Sequence, residues 1–493
     1  MTVRAETIEH FDILIAGAGI SGIGAAWHLK NHAPGKSFLV LESKPSFGGT
    51  WITHKYPGIR SDSDLYTFGY RFKPWTGAPI ATAGEILKYM GEVIEDSGLA
   101  SQIRYGHTIT HASWSAQNQR WTLTARRADT GETATITAGF LWMCQGYYDH
   151  QSGYTPEWPG MDSYKGRVVH PQHWPNDLDY AGKRVVVIGS GATAATLLPA
   201  MAESTEHITM LQRSPTYFRT ARNVNELADM LRQLEIPDQW THEIVRRKIL
   251  LDQTQFQVRA LEEPDAVKRD LLNNVRSFLG GKVDVDKHFS PHYRPWQQRV
   301  AFIPDGDLFT AISRGKASVV TDDIERFTAG GILLKSGEQL DADIVVTATG
   351  FNLCPLGNID FTINGKPLEF GETVAYRGAM FTGVPNLVWV FGYFRWSWTL
   401  RVDILADFVC RLFDHMKAKG SSVVTPVLRP QDKQMALKPW ISPDNFNPGY
   451  LARGVHLFPK QGENEPWRHD QDFIRDAREL PVADLDDGAL LFE

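Results

Sequence analysis

Two glycine-rich hexapeptides carry the most chemistry in this sequence. Gly17-Ala18-Gly19-Ile20-Ser21-Gly22 is a GxGxxG, and Gly189-Ser190-Gly191-Ala192-Thr193-Ala194 is a GxGxxA. In such a loop the first glycine makes a tight turn and the second lets backbone approach a pyrophosphate. The small third residue lets helix and strand pack closely. A helix N-terminus behind the loop offers N–H groups and a positive dipole to phosphate. Glu42 follows Gly22 by about twenty residues, where a carboxylate binds ribose hydroxyls. After the second loop no acid stands at the matching place; Gln212-Arg213-Ser214 is there instead. A guanidinium and a hydroxyl suit a 2′-phosphate, which a carboxylate would repel. The chain is thus expected to hold two dinucleotides, the second of them NADPH rather than NADH.

Each loop needs a strand before it and a helix after it. Residues 11–16 form an apolar run that reads as a buried strand, residues 21–31 read as a helix and residues 37–41 as a second strand. The pattern restarts with a strand at 184–188, a turn at 189–193, a helix at 194–201 and a strand at 208–211. The two units lie about 170 residues apart, the length of a domain rather than of a repeat. The fold class expected is α/β, with two Rossmann-like dinucleotide-binding domains of the flavoprotein disulfide-reductase and monooxygenase type. Residues 1–150 would begin the FAD domain, 151–345 form the NADPH domain and 346–493 complete the FAD domain with a C-terminal segment. Residues 225–282 change to helical spacing and read as an insertion that covers the second domain. The run 344–348 is expected to rejoin the first domain's sheet, and residues 470–493 read as an acidic tail or surface cover.

Bulk properties exclude several classes. Of the 493 residues 42% are hydrophobic and 22% charged, with a net charge of −6, so neither a disordered chain nor a nucleic-acid binder is indicated. The first ten residues are polar and charged, without the apolar core of a signal peptide. Residues 386–400 are aromatic-rich but too polar and short to span a bilayer; peripheral membrane contact stays open, and oligomeric state has no signature. Cys144, Cys354 and Cys410 are the only cysteines. They match no metal site or disulfide framework and fit a reducing cytoplasm. They also lack the CxxC or CxxxxC pair that a flavin disulfide reductase needs, which leaves a flavin monooxygenase.

The segment Tyr164-Lys165-Gly166-Arg167-Val168-Val169-His170-Pro171-Gln172-His173-Trp174-Pro175 resembles the FxGxxxHxxxWP fingerprint of type I Baeyer–Villiger monooxygenases, a class B flavoprotein family, with Tyr164 for the leading Phe. Tyr164, Gly166, His170, Trp174 and Pro175 are its fixed positions. Its place before the second βαβ unit suits a hinge, and His170 there suits an orienting hydrogen bond better than a catalytic base. Gly48-Gly49-Thr50-Trp51, Tyr56-Pro57-Gly58-Ile59-Arg60-Ser61-Asp62, Cys144-Gln145-Gly146-Tyr147-Tyr148, Ala348-Thr349-Gly350-Phe351 and Trp296-Gln297-Gln298-Arg299-Val300 extend the resemblance. The wording is nearest to the ethionamide-activating branch of the family.

The resemblance implies an NADPH- and O2-dependent enzyme whose C4a-peroxyflavin converts ketones to esters or lactones and sulfides to sulfoxides. FAD contacts would come from Gly17, Gly19, Ser21, Gly22, Glu42, Gly49, Thr50, Trp51, Asp62 and Ile109. NADP contacts would come from Arg60, Ser61, the 189–194 loop, Arg213, Ser214 and Gln298. Arg299 would hold the negatively charged oxygen, since a guanidinium keeps its charge, and Asp62 would orient Arg299. Where the family often has a Lys before that Arg, this chain has Gln298, which leaves the phosphate to Arg213 and Ser214. Trp398 and Phe394, with Phe391, Tyr393 and Trp396, are candidates for a substrate tunnel or for core. The alternative activity is that of a flavin-containing or N-hydroxylating monooxygenase acting on N or S nucleophiles; a third reading is a nucleotide-binding protein without catalysis.

Overall fold

The computed structural model describes residues 8–493, so most of the polar segment at residues 1–10 lies outside the described residues. The first sheet is nine-stranded. Its centre is Glu9–Ala16, parallel to Phe38–Leu41 on one side and to Thr133–Met143 on the other. Ile13, Leu14, Ile15 and Ala16 are all buried, as expected of a parallel strand covered on both faces. Helix α1 (Ile20–His32) crosses one face.

The second sheet has five strands in the order Ala317–Thr321, His207–Gln212, Arg184–Ile188, Ile344–Thr347, Arg167–Val169. Helix α2 (Ala192–Met201) follows the second glycine loop and begins two residues earlier than its sequence pattern indicates. One expectation is overturned here. The run at 344–348 does not rejoin the first sheet; Ile344 pairs with Val185 and Thr347 with Ile188, inside the second sheet. An apolar run buried on both faces satisfies either sheet, and its type alone cannot choose. The return is made later, by Leu387–Trp389, which pairs in parallel with Leu141, Trp142 and Met143.

The insertion consists of α3 (Glu226–Gln233), α4 (Asp238–Glu262) and α5 (Pro264–Leu279). It does more than cover the second domain. From α4 the buried Arg246 reaches into the first domain, where Nη1 donates to the carbonyls of Tyr66, Thr67 and Gly69 at 3.1, 3.2 and 3.0 Å. Its Nη2 stands 3.5 Å from Asp403 of α6 (Thr399–Lys419). Asp403 also meets His28 of α1 at 3.2 Å. Burial opposes the Asp403 charge, yet the His28 and Arg246 partners hold its carboxyl below the ordinary range.

The last residues pack as a cover, the second of the two readings of residues 470–493. Leu490–Phe492 pairs antiparallel with Val424–Pro426, and Leu480, Leu485, Ala489 and Leu490 are buried in the first domain's core. Four apolar side chains among the acids supply that anchor. Before this stands a short helix, α7 (Gly449–Gly454). Among the described residues no helix is long and apolar enough to cross a membrane. Removing one partner of a buried ion pair leaves the other charge uncompensated. Arg246→Ala should therefore cost about 3 kcal/mol of stability, read as a lowered urea midpoint; an unchanged midpoint would show that the insertion is not clamped this way.

Candidate active site

At the first loop, Gly17 has φ +99°, and a Cβ there would lie 3.0 Å from the Cys144 carbonyl oxygen. A Cβ on Gly22 would collide with the Gly17 carbonyl, so the helix rests directly on the turn. Gly19 caps α1 without any side-chain bond to its first-turn N–H groups, which leaves them for an anion. Gly49 approaches Gly19 from the opposite side, with 3.6 Å between a Gly19 Cβ and the Gly49 Cα. Glu42 is buried at the end of its strand, accepting from the Ala18 N–H at 2.7 Å and the Lys44 N–H at 2.8 Å. The Ser21 hydroxyl accepts from the Trp398 indole at 2.8 Å. Thr50 and Trp51 open a short helix beside Gly49. Ile109 is buried two residues beyond His107, whose N–H donates to the Glu42 carbonyl. A Cβ-free cradle, an uncapped helix and a ribose-binding carboxylate fit the pyrophosphate and ribose of FAD.

The second loop repeats the device. Gly189 has φ +125° and a Cβ on it would strike the Ala348 carbonyl, whereas a Cβ on Gly191 would stand in open space. Gly191 caps α2, again without a side-chain bond. The Ser190 hydroxyl lies 2.9 Å from that of Thr216 and donates to the Ser214 carbonyl, which ties the loop to the next one. Arg213 and Ser214 are exposed there. Ala194 is buried, and a Cβ on Gly58 would come 2.5 Å from Ala200 of α2. The 56–58 turn of the first domain thus sits on the second domain's helix. This cradle fits NADP, with Arg213 and Ser214 where a 2′-phosphate would lie.

Between the loops the structure brings Asp62 and Arg299 together. Asp62 Oδ2 stands 2.7 Å from Arg299 Nε. Arg299 Nη1 donates to the Phe394 carbonyl at 3.0 Å and Nη2 to the Ser63 hydroxyl at 3.3 Å. Both side chains of the pair keep about a third of their surface open, 35% and 34%. Burial works against the Arg299 charge, but the Asp62 carboxylate outweighs it and raises the pKa. Two residues on, Asp64 is pushed up to about 7 by burial, against the Tyr66 N–H and Arg219.

Other assigned positions fall differently. Arg60 is engaged by Asp307, with Nη1 at 2.5 Å and Nη2 at 3.2 Å. Ser61 is buried, and its hydroxyl accepts from the Ala81 N–H. Gln298 is half-buried beside Arg299. The Phe394 ring is core, stacked on Phe446 at 4.8 Å, and its carbonyl is what reaches the site. Phe391, Tyr393 and Trp396 are buried in hydrophobic clusters. Trp398 is half-buried and stacks on Tyr147 at 5.3 Å.

The fingerprint forms a joint. Tyr164 donates to the Ala342 carbonyl at 3.0 Å, and Gly166 has no room for a Cβ beside that ring. Trp174 packs against Tyr180, and the Pro175 carbonyl accepts from Leu178. His170 Nδ1 accepts from the Gln172 N–H, which places the proton on Nε2, 3.1 Å from the Gly350 carbonyl. Burial lowers the His170 pKa, so the ring is a neutral donor at pH 7. It thereby holds the crossing beside the second loop.

Sequence patterns missed Asp307, Ser63 and a phenol cluster. Tyr147 donates to Tyr148 at 2.6 Å, and Tyr450 from α7 sets its ring 6.0 Å from Tyr148, all beside Arg299. Burial raises all three pKa values, so the hydroxyls are neutral. Tyr450 lies about 150 residues from Arg299 in a segment without periodicity, and no local signal joins them.

Residues 15–75 match the NAD(P)-binding Rossmann-like domain family, and residues 80–227 the flavin-binding monooxygenase-like family. Among solved structures, an oxidized steroid monooxygenase bound to NADP shares the fold, with TM-score 0.71 and 22% identity over 86% of this chain and 88% of that one. The probable FAD-binding monooxygenase AlmA of Acinetobacter baylyi is 42% identical over 98% of this chain and 96% of its own. The FAD-containing monooxygenase EthA of Mycolicibacterium smegmatis is 45% identical over 98% of this chain and 97% of its own. With two dinucleotide cradles flanking one ion pair and full-length identity at that level, the chain belongs to the family of FAD-containing monooxygenases that includes EthA.

Proposed function

We propose that this FAD- and NADPH-dependent monooxygenase inserts oxygen beside ketone carbonyls, giving esters or lactones, and oxidises sulfides to sulfoxides. The observation that carries this reading is the Arg299–Asp62 pair, 2.7 Å apart between the two cradles. FAD held by the Gly17–Gly22 loop, Glu42 and Gly49, once reduced by NADPH, supplies oxygen activated from O2. Everything else asked of the site falls to side chains of this chain.

Arg299 has five N–H groups. Nη1 donates to Phe394 and Nη2 to Ser63, Asp62 pairs with the guanidinium as a charge, and further N–H groups remain for a substrate oxygen. They present a fixed positive charge to oxygen that carries negative charge, including the substrate carbonyl oxygen as it becomes an oxyanion. Donors aimed at such charge contribute about 3–4 kcal/mol to lowering a barrier. Asp62 holds the guanidinium as its ion-pair partner and balances its charge at rest. A sulfide or amine attacks oxygen without an oxyanion forming on itself, so its oxidation alone would leave Arg299 without that task. The nearby phenols of Tyr147, Tyr148 and Tyr450 add neutral donors. The three cysteines are free, which supports a reducing cytoplasm as the location.

Arg299→Ala should still let NADPH bleach the flavin in stopped flow, while ester formation falls about 100-fold or more; an undiminished ester yield removes Arg299 from the reaction. Gly22→Ala, whose added carbon meets the Gly17 carbonyl, should purify with little or no yellow flavin; full flavin absorption in that variant would mean the first loop does not hold FAD.

A further inference from the structure

Arg453 lies outside every motif in the sequence, yet α7 delivers it to the crossing that backs the second glycine loop. Its guanidinium lies flat on the Tyr154 ring, 3.5 Å from the centroid. Stacking of this kind fixes a guanidinium's plane and leaves its edge N–H groups free. Tyr154 is itself fixed, since its N–H donates to the Gly350 carbonyl and its own carbonyl accepts from Thr349 at 2.5 Å. Arg453 Nη2 stands 3.8 Å from where a Cβ on Gly350 would be. Gly350 ends the Ala348-Thr349-Gly350 crossing, and the Ala348 carbonyl is what Gly189 packs against.

Strand order gives the position meaning. Arg184–Ile188 leads into Gly189, with His207–Gln212 on one side and Ile344–Thr347 on the other. Arg213 follows the first neighbour and flanks the loop from that side. Arg453 stands over the crossing that follows the second neighbour and flanks the loop from the opposite side. Burial, then the nearby Arg213 charge, lowers the Arg453 pKa, and only the Tyr154 phenol acts the other way. Arg453, stacked on Tyr154 with no carboxylate acting on it, and the exposed Arg213 bring two positive charges to the surroundings of an uncapped helix N-terminus, where an anion relieves their repulsion.

We propose that Arg453 is a ligand for the pyrophosphate of the nicotinamide dinucleotide, opposite Arg213 at the 2′-phosphate, and so supplies from the C-terminal segment a charge that Gln298 does not. This rests on the reading that the second cradle takes NADPH. Because the pyrophosphate is common to both nicotinamide dinucleotides, Arg453 strengthens binding without choosing between them, whereas Arg213 chooses.

The test is calorimetric titration of NADP+ and of NAD+ into FAD-loaded protein, with KM for NADPH and NADH measured alongside. Arg453→Ala is expected to weaken both dinucleotides about tenfold or more and to leave their affinity ratio unchanged, with Arg453→Lys recovering part of the loss. Arg213→Ala is expected to weaken NADP+ alone. Unchanged NADP+ affinity in Arg453→Ala, with flavin content and melting temperature equal to the parent, overturns the proposal. A loss confined to NADP+ overturns the pyrophosphate assignment. Absence of NADP+ binding by the unsubstituted protein would defeat the NADPH reading itself.

Discussion

The Arg299–Asp62 ion pair is the contact on which the rest of the architecture depends. Its acid comes from the turn after the first βαβ unit and its base from the chain that emerges from the helical insertion. A half-enclosed pair keeps its geometry only if both backbones are held. The Asp62 turn is held accordingly. The Ser61 N–H bonds the Ala81 carbonyl, Thr67 bonds Ser397 at 2.7 Å, Thr399 bonds the Phe68 carbonyl at 2.7 Å, and Arg246 gathers three carbonyls just downstream. Arg60–Asp307 adds a second ionic link between the domains. The insertion is therefore part of the active-site frame, although none of its helices carries the reacting groups.

Backbone does the binding and side chains do the chemistry. Both cradles rely on missing Cβ atoms and on helix ends left uncapped, features that place phosphate without strong selectivity. The polar groups at the strand ends differ, a buried Glu42 at the first and an exposed Arg213 at the second. The fingerprint from Tyr164 to Pro175 belongs to neither cradle. His170 bonds the Gly350 carbonyl, and Gly350 closes the crossing on which Gly189 rests.

Much of this was legible from residue type and spacing. The loops at Gly17 and Gly189, the strands before them and the helices after them follow from glycine spacing and apolar runs, because those constraints are local. What was not legible is non-local. Residues 344–347 read as a buried strand, but which sheet they join depends on packing against Val185 rather than on their own pattern. The end of the chain reads as acidic by composition, while four apolar side chains anchor it. Asp307, Arg246 and Tyr450 reach their partners across more than a hundred residues. No periodicity encodes such meetings. Phe394 is instructive in another way. Its ring reads equally as tunnel lining or as core and packs as core, while its backbone carbonyl is what meets Arg299.

In the reading proposed above, the guanidinium of Arg299 serves oxygen transfer to a carbonyl. The most direct measurement is product analysis after turnover of the FAD-loaded protein with NADPH, a ketone series and isotopically labelled dioxygen. The account predicts an ester or lactone carrying one labelled oxygen in its new C–O bond, with NADPH consumed in step with product. Steady NADPH consumption that yields labelled sulfoxide from a sulfide, but no ester from any ketone, would contradict it.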